Sequence, residues 1–136
     1  KGIQPVINWP HLHARGNRWL NDRESFKRVF DFFENSLGLK KFYTHFSGVE
    51  FDTEGTERHY SPITKGELKF EYLAEVILEN NYNVITISDS PLMEHDAMYM
   101  KLIMERVEAR RQERIARRQA AEKIKESRKA AAEAES

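Results

Sequence analysis

The chain has 136 residues, of which 40% are hydrophobic and 11% aromatic, enough to bury the core of one small domain. Its 22 basic and 22 acidic residues cancel, which excludes a global basic field as the basis of nucleic-acid binding. The absence of cysteine excludes disulfides and thiolate sites, and without an 18-residue apolar run or a typical signal peptide we expect a cytoplasmic protein with no membrane partner.

The amino-terminal quarter of the chain predicts a strand, a loop and a helix. Residues 3–8 form a short apolar run typical of a strand, and the polar residues 9–16 that follow predict a loop. Asn21 and Glu24 have the spacing of a capping box, so we expect Asn21 to cap a helix with apolar residues at helical spacing. Gly38 is a natural end for this helix.

The middle of the chain repeats the strand–helix order twice. Residues 41–47 predict a second strand, followed by a long loop to Pro62. A second capping box at residues 64–67 predicts another helix, which ends at Asn80-Asn81, and residues 83–89 predict a third strand because they are rich in β-branched residues. The inward stripe of a third helix comprises Met93, Ala97, Met100, Ile103, Met104 and Val107.

Strands that alternate with helices at this spacing predict parallel βαβ units with the three strands adjacent in sequence order. In such folds, ligands bind at the carboxyl ends of the strands. Polar residues occur there in all three units: Asn8 and His11, then His45, then Asp89. We therefore expect these side chains to face one pocket.

Glu57 and His59 lie two residues apart, so they point the same way if the segment is extended. Imidazole and carboxylate are ordinary ligands of zinc, manganese and similar divalent ions. The spacing suits two ligands on one metal, near the strand that ends at His45. A solvated loop explains the same residues without a metal, and both interpretations remain open at this point.

Residues 3–104 resemble the carboxyl-terminal half of the endonuclease IV family, within the xylose-isomerase-like TIM barrels, and are most similar to its archaeal members. Four motifs that occur in the family's order carry the resemblance. They are Asn8-Trp9-Pro10-His11, the segment YTHFSG with His45, Glu57-Arg58-His59, and Asp89-Ser90-Pro91.

The resemblance implies a fold, a reaction and a set of ligands. The fold would be the carboxyl-terminal three βα units of a TIM (β/α)8 barrel, with residues 1–104 as a fragment of a longer chain. The family builds a three-metal cluster, usually of zinc, that cleaves DNA on the 5′ side of abasic sites. One metal would lie between His11, Glu57 and His59, and a second between Asn8, His45 and Asp89.

The chain also departs from the family pattern. Asn8 replaces the usual acid and so loses a formal charge, Asp89 is one methylene shorter than the usual glutamate, and Glu57 replaces an aspartate. The family's remaining ligands, two histidines and a bridging glutamate, would lie on strands before Lys1. We therefore expect the His11, Glu57 and His59 set to bind metal more securely than the other set.

Residues 105–136 form a charged tail in which alanine and alternating charges favour a helix. A helix from residue 94 to residue 131 would be roughly 55 Å long. The tail has too few aliphatic residues for a coiled coil. It is either a solvated helix or a helix that binds phosphates of duplex DNA or structured RNA through Arg106, Arg110, Arg111, Arg114, Arg117 and Arg118.

Two other functions are compatible with the same pattern. A sugar isomerase or epimerase can use this fold, because a fold does not determine its chemistry. A degenerate barrel, supported by Asn8 and Asp89, could instead bind nucleic acid or a ribonucleoprotein through the tail without catalysis. Arg15, in the loop beyond His11, either holds a DNA phosphate or forms a surface salt bridge.

Overall fold

The computed structural model describes residues 2–135, apart from the side chains of Glu57 and Arg58. Helices and strands alternate along most of the chain, and one very long helix ends it. In chain order the elements are β1 (Val6–Asn8), α1 (Trp9–Arg15), α2 (Arg23–Leu37), β2 (Lys41–Phe46), β3 (Gly48–Phe51), β4 (Glu57–Ser61), α3 (Phe70–Asn80), β5 (Asn83–Ser88) and α4 (Glu94–Ala134).

Strands β1, β2 and β5 form a three-stranded parallel sheet in that order. This confirms the predicted parallel strands, adjacent in sequence order. Each strand is joined to the next by a connection that contains a helix, as parallel pairing requires. Asn8 lies opposite His45 in the register, so the ends of β1 and β2 are level.

One face of the sheet carries the hydrophobic core. Ile7, Phe42 and Phe46 are at most 2% exposed on this face, and they pack with the inner sides of α2, α3 and α4. Phe30 of α2 lies at the centre of an aromatic cluster with Trp9, Phe42 and Tyr82. Burial of these large rings is the main source of stability for the unit.

The opposite face of the sheet is not covered by any element among the residues that the structure describes. Val6, Ile85 and Ile87 point to this side and remain 53%, 40% and 47% exposed. The outer edges of β1 and β5 are likewise unpaired within residues 2–135. In the described part of the chain, helices therefore lie on one side of this sheet only.

Two segments that were predicted as loops are regular structure. Residues 9–15 form α1, because the Asn8 side chain caps the backbone N–H of His11 and Pro10 suits a first helical turn. The stretch expected to be a loop up to Pro62 contains the antiparallel hairpin β3–β4. Its turn is held by Asp52 Oδ1, which accepts from the N–H groups of Glu54 and Thr56.

The predicted helix ends are correct, but both predicted caps are wrong. Gly38 and Asn81 end α2 and α3 in the left-handed conformation. Asp22, not Asn21, caps α2 in a reciprocal capping box with Ser25. The box expected at residues 64–67 is absent, because α3 begins only at Phe70 and has no side-chain cap.

Helix α4 continues without a break from residue 104 to residue 105, where the sequence suggested that the barrel fragment ends and the tail begins. Met100, Ile103 and Val107 face the core as predicted, but Met93 and Ala97 are exposed. The inward position near the start of α4 is taken by Asp96, which accepts from the Ile63 N–H and the Ser90 hydroxyl. Over the described residues, no helix is both long and apolar enough to cross a bilayer.

Candidate metal centre

The carboxyl ends of β2 and β5 bring His45 and Asp89 together. The His45 Nδ1 and Asp89 Oδ2 atoms are 2.7 Å apart, and both side chains are about one-third exposed. Asp89 is held there because its N–H donates to the Phe46 carbonyl at 3.0 Å, which continues the sheet beyond β5. Since a carboxylate can only accept, His45 donates from Nδ1, and in the neutral imidazole Nε2 then presents a lone pair suited to a metal.

Asn8 lies beside this pair at the end of the neighbouring strand β1. Its Oδ1 accepts from the His11 N–H at 3.1 Å, and its Nδ2 donates to the Tyr60 hydroxyl at 3.1 Å. The three predicted strand-end residues Asn8, His45 and Asp89 therefore do lie at one end of the sheet. Asn8 also has a structural task there, because its amide oxygen caps α1.

Tyr60 of β4 links the hairpin to this end of the sheet. Its ring meets the His11 ring edge to face, with centroids 5.8 Å apart, and its hydroxyl contacts Asn8. The sequence interpretation did not single out Tyr60. The sequence does indicate that Tyr60 points inward, because it directly follows His59. In a strand, if one side chain points to solvent, the next points to the protein.

The second predicted set is only partly described. The His59 Nε2 atom lies 3.0 Å from Glu50 Oε2 across the hairpin, and the His59 side chain is 56% exposed. A register shift between Glu50 and Phe51 interrupts the regular alternation opposite residues 57–59. The Glu57 side chain lies outside the described part, so a shared site for His11, Glu57 and His59 remains a prediction. Among the side chains that are described, no three His, Asp or Glu residues form a ready metal site.

The segment after β5 is fixed by a buried hydrogen-bond network. The Ser90 hydroxyl donates to Asp96 Oδ2 at 2.5 Å and accepts from the Leu92 N–H at 3.1 Å. Ser90 and Asp96 are both about 4% exposed. This network holds the backbone next to Asp89, so the position of its carboxylate does not depend on a mobile loop.

A second network, around the buried His13, was also missed by the sequence interpretation. The Leu20 N–H donates to His13 Nδ1 at 3.1 Å, so Nε2 carries the proton and donates to Glu67 Oε1 at 3.0 Å. Arg18 adds a bidentate pair to Glu67 at 2.6 and 2.7 Å. Asn17 and Arg18 both have φ of 60°, so these contacts hold a strained turn beside the hairpin.

This network makes stability dependent on pH. Hydrogen bonds from Arg18 and from His13 hold the pKa of the Glu67 carboxyl below its usual range. The stabilisation is therefore present above the ordinary glutamate pKa of about 4.3 and is lost as the pH falls through the lowered value. We expect Glu67→Gln to cost up to about 1 kcal/mol at pH 7, since the pair is partly exposed, and less at pH 3, where the carboxyl group of the unfolded chain is largely protonated.

Urea unfolding of the wild type and of Glu67→Gln between pH 7 and pH 3 measures this difference. Glu105→Gln, at an exposed position of α4, is the matched control. A difference between wild type and Glu67→Gln that stays constant over the whole range would refute the linkage.

The arginines that were predicted to contact nucleic acid lie on α1 and on α4. Arg15 is exposed in the last turn of α1, the helix that follows β1 at its carboxyl end. The six arginines of the tail lie far along α4. Arg106 lies beside the buried Val107, and the other five arginines follow it along α4.

Comparison with known proteins leaves the family open. No family model matches the chain, and no solved structure matches it. An uncharacterized protein of Methanocaldococcus jannaschii, MJ0133, is 29% identical over 101 residues, which cover 72% of this chain and 37% of that protein. The chain thus spans little more than a third of this archaeal relative, and the likeness assigns it no activity.

Proposed function

We propose that the strand ends of this chain form part of the metal centre of a phosphodiester hydrolase that acts on abasic sites in DNA, as in the endonuclease IV family that the sequence resembles. The observation that carries the proposal is the His45–Asp89 pair, 2.7 Å apart, with Asn8 level with it on the next strand. An oriented imidazole and a carboxylate at the carboxyl ends of parallel strands are the expected parts of such a centre.

The donor atoms fit a divalent ion, most naturally zinc, with manganese as the alternative. His45 would bind through Nε2 while Asp89 holds the ring through Nδ1. His11, Glu57 and His59 would hold a separate ion from α1 and the hairpin. When bound, the metal would activate water and polarise the phosphate. The chain's own residues orient the ligands, and Arg15 contributes a positive charge for the DNA backbone at the same end.

The exposed apolar face of the sheet supports a TIM-barrel arrangement. In a closed barrel, helices cover only the outer face, and the inner face is packed with side chains from other strands. Val6, Ile85 and Ile87, which are partly exposed, would occupy that inner position in a barrel, and two unpaired strand edges flank them among the described residues. Proteins avoid such edges, so further βα units that pair with β1 and β5 would complete both surfaces.

The hydrolase proposal predicts metal-dependent cleavage of DNA. A protein that joins this chain to the βα units proposed to pair with β1 and β5, supplied with zinc or manganese, should cut a duplex that contains one abasic site on the 5′ side of that site. Cleavage should stop with a chelator and fall at least about 100-fold in His45→Ala, because a positioned ligand is lost. The exposed His95→Ala is the control of the same residue type.

Absence of metal-dependent cleavage, or equal cleavage by wild type and His45→Ala, would contradict the hydrolase. DNA binding without cleavage would favour the second candidate, a non-catalytic barrel that binds nucleic acid. The observations that favour this alternative are Asn8, which lacks the charge of the family's usual acid, and Asp89, which is shorter than the family's usual glutamate. A sugar isomerase rests on fold analogy alone.

A further inference from the structure

Helix α4 carries two different surfaces along the same side. Its first half packs on the body through Met100, Ile103 and Val107. Steps of three and four residues continue this stripe to Arg110, Arg114 and Arg118. The stripe would remain apolar if this part of α4 packed on a hydrophobic partner, but it consists of arginine instead.

The arginines of this segment share one face. At about 100° per residue, the six arginines from Arg106 to Arg118 fall within an arc of about 140°. Glu108 lies on the other side of the helix, and Glu113 lies about 20° outside the edge of this arc. The segment from residue 106 to residue 118 holds six arginines against two glutamates, a net charge of +4. We call the six arginines the Arg face; they are Arg106, Arg110, Arg111, Arg114, Arg117 and Arg118.

The charges of the Arg face are largely not compensated within the protein. Arg111 forms an ion pair with Glu108 at 3.8 Å. Among the residues that the structure describes, the other five arginines of the Arg face have no carboxylate oxygen within 4.0 Å. Four of its members line a groove of about 460 Å³ beside Glu79 of α3. The Glu79 carboxylate is itself paired with Arg23 at 2.9 Å, so the groove remains basic.

We infer that the Arg face is a docking surface for the phosphate backbone of duplex DNA, separate from the candidate metal centre. Charge complementarity identifies an anionic polymer as the partner, since six guanidinium groups extend about 18 Å along a straight helix. Residues 105–136 contain no aromatic side chain on which single-stranded bases could stack, which favours a duplex. The choice of DNA over RNA rests on the proposed function.

The surface and the metal centre face different parts of the molecule. Arg110 and Arg118 lie 16 and 24 residues beyond Glu94, about 24 and 36 Å along the helix from the carboxyl ends of the strands. The Arg face therefore holds DNA without contacting the bond at the metal centre. Its contacts are to phosphates, so affinity should depend on salt and hardly on base sequence.

The test measures binding of an undamaged duplex DNA to the full chain in a chelator, so that the metal centre plays no part. The variant R110E/R114E/R118E reverses three charges of the Arg face. The variant K123E/R128E/K129E makes the same change in net charge further along the same helix. Glutamate is a good helix former, and circular dichroism should show unchanged helix content in both.

We expect the Arg-face variant to bind at least about tenfold more weakly at low salt and to lose about three units from the slope of log affinity against log salt. The control should change affinity by less than about threefold. Equal weakening of both variants, or none in the Arg-face variant, would overturn the docking surface. Equal or tighter binding of single-stranded DNA or duplex RNA would overturn duplex DNA as the partner.

Binding and catalysis can fail separately in this design. If the metal centre does not exist, the undamaged duplex still binds in chelator and the Arg-face variant still loses affinity. If the Arg face does not bind DNA, cleavage remains sensitive to His45→Ala.

Discussion

Replacing His45 with alanine is expected to lower the affinity of the chain for zinc by at least about 100-fold. The substitution removes the imidazole whose Nε2 lone pair faces away from the Asp89 contact. Among the described residues, His45 is the side chain that pairs with Asp89, so the variant has no second imidazole at this position. Zinc binding in competition with a chromophoric chelator measures the change, and the exposed His95→Ala should leave the affinity unaltered.

Asp89→Asn distinguishes a positioning residue from a direct ligand. An amide oxygen can still accept from His45 Nδ1, so we expect a loss of about 10- to 100-fold if Asp89 acts by orienting the imidazole. A loss as large as that of His45→Ala would make Asp89 a ligand in its own right. If neither substitution changed zinc affinity, His45 and Asp89 would be an ordinary surface ion pair.

Phe30→Ala is expected to destabilise the fold by about 3–5 kcal/mol, which is a large part of the stability of a small domain. Phe30 is fully buried, and its ring lies 4.4 Å from Tyr82, 4.9 Å from Phe42 and 5.5 Å from Trp9, measured between centroids. Its loss would leave a cavity where α2 meets the sheet. That cavity lies at the junction of three elements, so the surroundings cannot easily collapse to fill it.

Urea unfolding with an unchanged m-value measures the effect of Phe30→Ala. Phe32→Ala is the matched control, because Phe32 lies on the same helix but is 61% exposed. The control should change the free energy of unfolding by less than about 0.5 kcal/mol. Similar losses in both variants would show that the aromatic cluster is not the centre of the core.

The sequence predicts the parallel sheet well, because its signals are local and strong. Residues 83–88 favour a strand because most of them are β-branched. Gly38 and Asn81 end helices because glycine and asparagine readily adopt the left-handed backbone conformation. The meeting of His45 and Asp89, 44 residues apart, is also predictable. It follows from the rule that parallel strands present their carboxyl ends on one side.

Other features depend on contacts that a single sequence does not reveal. Glu67 has the spacing of a helix-capping residue, yet it pairs with Arg18 and His13. The hairpin was hidden because Asp52 and Gly55 in its turn also suit an irregular loop. Asn8 suggested a weakened metal ligand, whereas its contacts show that it also caps α1.

The most direct test of the strand-end metal centre is a crystal structure of the full chain grown with zinc, with anomalous diffraction recorded at the zinc edge. The predicted result is an anomalous peak about 2.0–2.1 Å from His45 Nε2, with Asp89 still bonded to Nδ1. The peak should disappear in His45→Ala crystals. Zinc bound elsewhere while His45 and Asp89 contact only each other would contradict a metal centre at the strand ends.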